Sequence, residues 1–201
     1  MIRYAITDAR RFGYSAEARL AGLLADARRW AAEGVEYVQL REKTLTGEEL
    51  LRLAEAMVRV FREQAGTTKL VVNGRADIAI AAGADGVHLT SDSEELTPEQ
   101  VRQLFAKARL PKPVVSAACH GLADAERARE AGADLILFGP VFEKRVAREL
   151  VVEGAGLERL REVCTAAGET PVLALGGVTM ENAAACVAAE ASGVAGIRLF
   201  F

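Results

Sequence analysis

The sequence predicts a (β/α)8 barrel, or TIM barrel, in which a parallel eight-stranded sheet closes on itself inside a ring of helices. Eight short apolar runs alternate with segments rich in Ala, Glu and Arg, whose apolar residues recur with a helical period. The runs are almost entirely apolar, as expected for strands buried on both faces of a parallel sheet. A doubly wound open sheet is the main alternative, but it usually has fewer strands. At 201 residues the chain has room for one such core, so residues 1–201 are predicted to form a single domain.

The predicted strands are the eight apolar runs, taken in chain order. They span Tyr4–Asp8, Tyr37–Glu42, Lys69–Asn73, Gly86–Leu89, Pro113–Cys119, Leu135–Val141, Val172–Gly176 and Gly196–Phe200. The predicted helices lie between them, at Ala16–Ala32, Gly47–Gln64, Ala76–Ala82, Thr97–Lys107, Leu122–Ala131, Leu157–Ala167 and Thr179–Ala191. Four glycines precede a strand and suit the residue that ends a helix, namely Gly34, Gly132, Gly168 and Gly193.

No eighth helix is predicted, because the last strand ends one residue before the end of the sequence. Such a helix would normally cover the last strand. The apolar segment Ile197–Phe201 is therefore expected to be exposed unless another surface covers it. An uncovered apolar flank favours association, so a homodimer is predicted, and a truncated chain is the alternative.

Composition and charge exclude several classes of function. The formal net charge of -3 gives no basic footprint for nucleic acid or an anionic membrane. The apolar runs are too short for a transmembrane helix, and the first residues enter a strand at once, which leaves no room for a signal peptide. Cys119, Cys164 and Cys186 are widely spaced and form no CxxC motif. They indicate reduced thiols in the cytoplasm and argue against a zinc site or a disulfide framework.

The second predicted strand ends with two cations at the edge of the barrel where active sites are built. Alternation points Gln39, Arg41 and Lys43 to one face. A planar guanidinium and an ammonium at the mouth of a barrel suit a phosphate ligand. The alternative is a solvated loop in which these cations pair with Glu42.

The third predicted strand ends in the polar cluster Asn73-Gly74-Arg75-Ala76-Asp77. Asn73 is a candidate ligand contact, although an Asn at a strand end is often a turn former. Arg75 is predicted to form an ion pair with Asp77 or Glu42.

The two histidines of the chain have different predicted roles. His88 lies between apolar neighbours within strand four and is predicted to be a hydrogen-bonded core residue. His120 follows strand five at the mouth, where an imidazole can exchange a proton with substrate near neutral pH. His120 is therefore the candidate acid–base residue, and a helix-capping role is the alternative.

Two further segments at strand ends could hold an anion. Gly176-Gly177 ends strand seven before a predicted helix, where backbone N–H groups and the helix dipole favour phosphate. A plain turn would also use glycine. After strand six, residues 142–149 are predicted to form a charged loop in which Lys144 or Arg145 reaches an anion, or else a solvated surface loop.

Together these motifs resemble the thiamine phosphate synthase/TenI family over essentially the whole chain. The segments that carry the resemblance are Ile6-Thr7-Asp8, Gln39–Lys43, Asn73–Asp77, Gly86–Leu89, Gly139–Phe142 and Gly176-Gly177. The resemblance implies a phosphorylated thiazole ligand and a pyrophosphate-binding pattern at Gln39, Arg41 and Lys43. It also places His120 where thiazole tautomerases have their proposed acid–base residue.

The chain departs from the synthases of this family where they bind Mg²⁺ and the pyrophosphate leaving group. Gly74 stands where strand three of a synthase usually carries an Asp that binds the metal. After strand four the second acidic position is Ser93, with Asp92 one residue out of register, and the synthases' Thr-x-Thr-Lys segment after strand six is absent. Because Mg²⁺ prefers carboxylate ligands, a site that lacks both is expected to bind it poorly.

Three functional hypotheses follow from the residues and the resemblance. The first is a thiazole tautomerase-like enzyme of thiamin biosynthesis, which isomerises a thiazole phosphate carboxylate by acid–base proton transfer without a cofactor. The second is a thiamine phosphate synthase that couples hydroxymethylpyrimidine pyrophosphate to thiazole phosphate, with Mg²⁺ recruited through Asp92. The third is a non-catalytic binder or regulator that recognises a phosphate ligand. Gly74 and Ser93 count against the second, and His120 counts against the third.

Overall fold

Eight parallel strands form a closed barrel, which confirms the predicted fold class. In the computed structural model, residues 1–64, 67–90, 96–146 and 149–200 are described, with residues 144–146 and 149–151 described by their backbone alone. The strands are β1 (Ile2–Ile6), β2 (Tyr37–Leu40), β3 (Lys69–Asn73), β4 (Gly86–Leu89), β5 (Val114–Cys119), β6 (Leu135–Phe138), β7 (Lys144–Val146), β8 (Glu149–Val152), β9 (Val172–Leu175) and β10 (Gly193–Gly196). Around the barrel the order is β1-β2-β3-β4-β5-β6-β9-β10, and β10 pairs with β1 to close it.

Seven α-helices in the described residues alternate with the barrel strands. They are α1 (Ala16–Ala32), α2 (Gly47–Glu63), α3 (Ala76–Ala82), α4 (Pro98–Lys107), α5 (Leu122–Glu130), α6 (Gly156–Ala167) and α7 (Ala183–Ala188). Hydroxyl side chains fix the start of three of them, because Ser15, Thr46 and Thr97 each accept the N–H three residues ahead. None of the described helices has both the length and the apolar character that a membrane crossing requires.

Side chains of the barrel strands divide into two layers, as the alternation of a strand requires. Tyr4, Ile6, Leu135, Leu137, Leu173 and Ala195 pack together inside the barrel. A larger cluster that includes Trp30, Met57 and Phe105 fills the space between barrel and helices. All three cysteines are free thiols.

The last barrel strand lies earlier than predicted, at Gly193–Gly196 instead of Gly196–Phe200. Gly193 was expected to end a helix, but it begins this strand, and a Cβ there would lie 2.1 Å from the carbonyl oxygen of Ile2. Glycine therefore allows β10 to approach β1 closely. The left-handed residue after α7 is Glu190, with φ 72°. The predicted helix Thr179–Ala191 is correspondingly reduced to the six residues of α7.

The segment after β10 is covered by the first helix of the same chain. Leu199 and Phe200 are buried. The indole N–H of Trp30 donates to the carbonyl oxygen of Phe200 at 3.1 Å, and Arg29 donates to the same oxygen at 2.7 Å. The prediction that this apolar end is exposed is therefore wrong for Leu199 and Phe200. The predicted homodimer was inferred from the exposure of this segment. It stays a prediction, and the burial of Leu199 and Phe200 removes the observation on which it rested.

The charged segment after β6 forms a two-stranded antiparallel hairpin where a loop was predicted. Lys144 pairs with Val152, and Val146 pairs with Glu149. The alternation of charged and apolar residues in this segment is too short to indicate strands from sequence. The hairpin is an insertion between β6 and α6 and does not join the barrel sheet.

Candidate active site

Two predicted ligand-binding residues meet at the barrel mouth, where strands β2 and β3 end. Gln39 is buried, and its Nε2 donates to Oδ1 of Asn73 at 3.3 Å. Both side chains point inward because alternation places them on the face opposite Val38 and Val72. The structure thus places the two amides in one polar pair beneath the mouth.

The two predicted cations Arg41 and Lys43, which follow β2, line a cleft of about 350 Å³, called here the cation cleft. Its lining consists of Thr7, Asp8, Arg10, Arg41, Glu42, Lys43, Thr44 and Ile197. The backbone N–H of Arg41 donates to Oγ1 of Thr7 at 2.9 Å, which ties β2 to the end of β1. Three cations and two carboxylates therefore share this cleft.

The two carboxylates of the cation cleft are engaged by other protein groups. Asp8 accepts two hydrogen bonds from the Arg10 guanidinium at 2.7 and 2.8 Å, and these bonds lower the pKa of the Asp8 carboxyl. Glu42 accepts the N–H of Ala9 at 3.1 Å, and burial raises the pKa of its carboxyl. Among the ion pairs of the described residues, none joins Glu42 to Arg41 or Lys43. The solvated-loop alternative, which required that pairing, is not supported.

Sequence reasoning did not single out Arg10 as part of this site. It lies on the short 3-10 helix Ala9–Phe12, which starts with Asp8 as its N-cap. The sequence feature that could have indicated Arg10 is its position two residues after Asp8, which directly follows an apolar strand. That spacing allows a local ion pair, which here sits at the rim of the cleft.

Gly74 and Arg75 make local contacts after β3. Gly74 has a left-handed φ of 64°, and its N–H donates to the carbonyl oxygen of His88 at 2.8 Å. Arg75 binds Asp77 through two hydrogen bonds at 2.8 and 2.6 Å, which confirms the predicted ion pair. Arg75 therefore has a structural partner and is not a free cation of the mouth.

His120 is held by two hydrogen bonds at the end of β5. Its backbone N–H donates to Oδ2 of Asp124 at 2.8 Å, and its Nδ1 lies 2.7 Å from the carbonyl oxygen of Gly139. A carbonyl oxygen only accepts, so Nδ1 carries a hydrogen in this arrangement. In the neutral ring, Nε2 then has a free lone pair, and the residue is exposed. Asp124 caps the backbone here, so the imidazole itself does not have the alternative capping role.

The glycine pair after β9 packs against the segment that follows β6. A Cβ on Gly176 would lie 2.6 Å from Cα of Pro140, and one on Gly177 would lie 2.7 Å from Cβ of Phe142. Both glycines have positive φ, at 89° and 65°. Glycine is therefore required here by backbone conformation and by close packing, whether or not a ligand binds.

The helix expected directly after this pair begins later, at Ala183. Thr179 and Asn182 bond each other reciprocally in between, since each side chain accepts the other's backbone N–H. Asn182 also donates to the carbonyl oxygen of Gly177 at 3.0 Å. These reciprocal bonds have the pattern of a capping box, and the N–H of Ala183 donates to the carbonyl oxygen of Thr179 at 3.0 Å, so one helical turn precedes α7. The helix α7 starts six residues after Gly177, and the expectation that a helix dipole acts on an anion beside Gly177 stays a prediction.

His120, Gly139 and Gly176 form one connected corner of the mouth, called here the His120 corner. Gly139 accepts from His120, and Phe142 donates its N–H to the carbonyl oxygen of Gly176 at 3.0 Å. On one side of the barrel, β3 and β4 lie between His120 and the cation cleft, and on the other side β10 lies between Gly176 and the cleft. The mouth thus combines a cationic side with a side that presents an imidazole.

Of the three functional hypotheses, only the synthase alternative predicts a metal ligand, which is Asp92. No group of three His, Cys, Asp or Glu side chains suited to a metal ion occurs in the part of the chain that is described. Ser93 and Asp92 lie outside the described residues. So do the side chains of Lys144 and Arg145, and the prediction that Lys144 reaches an anion stays a prediction.

Comparison with known proteins gives the same family along the whole chain. The profile of a family described as thiamine monophosphate synthase matches residues 3–200. A thiamine-phosphate synthase of Methanoculleus marisnigri is 39% identical over 169 residues, which cover 84% of this chain and 75% of the relative. One of Chlorobium luteolum is 38% identical over 162 residues, covering 81% of this chain and 72% of the relative. The solved structure of a thiamine phosphate pyrophosphorylase from Pyrococcus furiosus has a TM-score of 0.76 and 26% identity, covering 98% of this chain and 85% of that one.

Proposed function

Because the chain belongs to the thiamine monophosphate synthase family, whose members are enzymes of thiamine biosynthesis, we propose that its barrel mouth isomerises a thiazole phosphate carboxylate by proton transfer. One observation carries the proposal: Nδ1 of His120 lies 2.7 Å from the carbonyl oxygen of Gly139. That bond leaves Nε2 as a proton acceptor at the mouth, which is the group that such an isomerisation requires.

In the proposed reaction, His120 moves one proton from a ring carbon of the non-aromatic isomer to the exocyclic carbon of a double bond conjugated with the ring. Nε2 takes the proton from the ring carbon, and the resulting imidazolium returns it to the exocyclic carbon. The carbonyl oxygen of Gly139 keeps the ring in one orientation and one tautomer, as a carboxylate does in other acid–base histidines. The ring becomes aromatic, which supplies the driving force. The same proton is removed and returned, so the reaction consumes no co-reactant and leaves the net charge unchanged.

The ligand's anionic groups have a complementary partner in the cation cleft. Arg41 and Lys43 both line it, whereas its carboxylates are bound to Arg10 and to the backbone of Ala9. Either the phosphate or the carboxylate of the thiazole fits this charge, because a guanidinium binds both groups through paired N–H donors. The other anion is then assigned to the backbone of Gly176-Gly177, which directly follows β9 at the mouth of the barrel.

This proposal is tested by incubating the protein with the thiazole phosphate carboxylate in excess chelator and following conversion between its isomers. Conversion well above the uncatalysed rate supports it. A protein that binds the compound without converting it supports the third hypothesis, a non-catalytic binder.

The second candidate is the coupling reaction of a thiamine-phosphate synthase, and the names of the relatives favour it over the isomerisation. Coupling requires Mg²⁺ to hold a pyrophosphate leaving group. The described carboxylates of the mouth do not fit that ion well, since Asp8, Glu42 and Asp77 each accept hydrogen bonds from protein groups. Mg²⁺-dependent formation of thiamine phosphate from the two coupling substrates tests this candidate.

Replacing Arg41 by Gln is expected to weaken binding of the phosphorylated thiazole about tenfold or more, because a charge-assisted hydrogen bond to an anion is lost. Arg75→Gln is the matched control, since Arg75 also follows a strand end but is bound to Asp77. Its effect on the dissociation constant should stay within about twofold. Calorimetric titration of both variants measures this, and equal losses would remove Arg41 from ligand binding.

A further inference from the structure

A chain of three polar side chains crosses the interior of the barrel. The hydroxyl of Tyr4 on β1 lies 3.1 Å from Oγ of Ser116 on β5, and Oγ of Ser116 lies 2.9 Å from Nδ1 of His88 on β4. Tyr4 and Ser116 are fully buried, at 0% exposure, and His88 is 6% exposed. Buried polar atoms of this kind are each expected to have a hydrogen-bond partner.

The direction of these two hydrogen bonds follows from Tyr4, whose hydroxyl has Ser116 as its hydrogen-bond partner among the described residues. Burial raises the pKa of the Tyr4 phenol far above neutral, so the phenol keeps its proton. Ser116 is the partner of that hydroxyl in the described part of the chain, and an unpaired buried O–H would cost about 1–3 kcal/mol. Tyr4 therefore donates to Ser116, and Ser116 donates its own hydrogen to Nδ1 of His88.

The state of His88 follows from this direction. Nδ1 accepts, so the hydrogen of the neutral ring is on Nε2. Burial and the charge of Arg41 lower the pKa of His88 to about 3, so the ring is neutral at physiological pH. His88 thus has the opposite tautomer to His120, whose hydrogen is on Nδ1 and whose Nε2 accepts.

Nε2 of His88 is not sealed inside the barrel. Within the described residues, the one buried side-chain nitrogen or oxygen without a partner is Nε of Arg102. Nε2 of His88 has no hydrogen bond to these residues, so it must be the accessible part of the ring. Its strand neighbour in register is Asn73, which places the imidazole beside the amide pair below the mouth.

We propose that Nε2–H of His88 is a hydrogen-bond donor to the ligand bound in the mouth. Its acceptor is a ring nitrogen or a carboxylate oxygen of a heteroaromatic acid. Tyr4 and Ser116 are positioning residues, because they act through His88 by fixing which nitrogen carries the hydrogen. A neutral imidazole that donates in this way polarises its acceptor without giving up the proton. The inference rests on the proposed function, since it assigns a contact to the same thiazole ligand.

The inference is tested by nitrogen NMR of the full chain labelled with ¹⁵N-histidine. The chain has two histidines, so the His120→Ala variant assigns both sets of signals. His88 is expected as the Nε2–H form, with signals that move on saturation with thiazole phosphate carboxylate and stay in place with inorganic phosphate. Three results would overturn the inference. The first is a His88 ring that carries its hydrogen on Nδ1. The others are His88 signals that do not move although calorimetry on the same sample shows saturation, and a failure of the compound to bind.

Turnover on the same sample separates this inference from the proposed function. Isomerisation with unmoved His88 signals contradicts the donor role alone, and moved signals without isomerisation contradict the proposed reaction alone. His88→Leu is expected to lower kcat about 100-fold, because one donor to the reacting group is lost. His88→Gln keeps an N–H at a similar reach and should recover activity to within about tenfold of the wild type. Equal losses in the two variants would indicate a structural role.

Discussion

Replacing His120 by Ala is expected to lower the rate of thiazole isomerisation by about 10²–10⁴-fold, the usual contribution of a positioned acid–base group. Binding of the thiazole phosphate carboxylate should change little, because β3 and β4 lie between β5 and the cation cleft beside β2. Steady-state kinetics and calorimetry on the same variant measure the two effects separately. Added imidazole is expected to restore part of the lost rate, since it can occupy the space of the deleted ring.

Gly121→Ala is the matched control for the loss at His120. Gly121 is the next residue in the chain, its backbone is extended, and a Cβ there meets nothing within 4 Å. Its activity should stay close to that of the wild type. If His120→Ala turns over as fast as the wild type, His120 is not the acid–base residue and the proposed mechanism is wrong.

The Gly176→Ala substitution is expected to destabilise the fold by roughly 2–4 kcal/mol and to impair catalysis as well. The backbone of Gly176 has φ 89°, which an Ala adopts at a cost of about 1 kcal/mol. The new Cβ would also lie 2.6 Å from Cα of Pro140, and such overpacking typically costs about 1–3 kcal/mol. Because Pro140 follows the carbonyl that holds His120, a shift of this segment disturbs the His120 corner.

Gly156→Ala separates backbone strain from close packing in this prediction. Gly156 has a similar φ of 83°, but a Cβ there meets nothing within 4 Å. It should therefore lose only the conformational part, about 1 kcal/mol, in chemical denaturation. Equal losses of stability in the two variants would show that the contact with Pro140 does not matter.

Much of the barrel could be predicted from local sequence pattern. Strands β3 and β4 and helices α1 and α3 have the predicted bounds, because apolar runs and helical periods change abruptly at their ends. The end of the chain could not be predicted in this way. In the sequence, Gly193 has the position of a residue that ends a helix. In the structure, it lacks a side chain because the backbone of Ile2, which is distant in sequence, packs directly against it. The burial of Phe200 likewise depends on Trp30, 170 residues away.

The candidate site was predictable as residue types at strand ends, but not as a network. Sequence placed Gln39 and Asn73 at the mouth, and the long-range bond between them appears only in the folded chain. His88 was predicted as a hydrogen-bonded core residue, which its contact with Ser116 confirms. Its open Nε2 could not be predicted, because it follows from which neighbours surround the ring in three dimensions.

The choice between isomerisation and coupling is decided by measuring both reactions on one sample of the wild-type protein. One aliquot receives the thiazole phosphate carboxylate with chelator, and another receives pyrimidine pyrophosphate and thiazole phosphate with Mg²⁺. Our account requires isomerisation that the chelator does not reduce, with little thiamine phosphate formed at any Mg²⁺ concentration. Efficient Mg²⁺-dependent formation of thiamine phosphate without isomerisation would contradict it and would make the protein a synthase like the relatives it resembles.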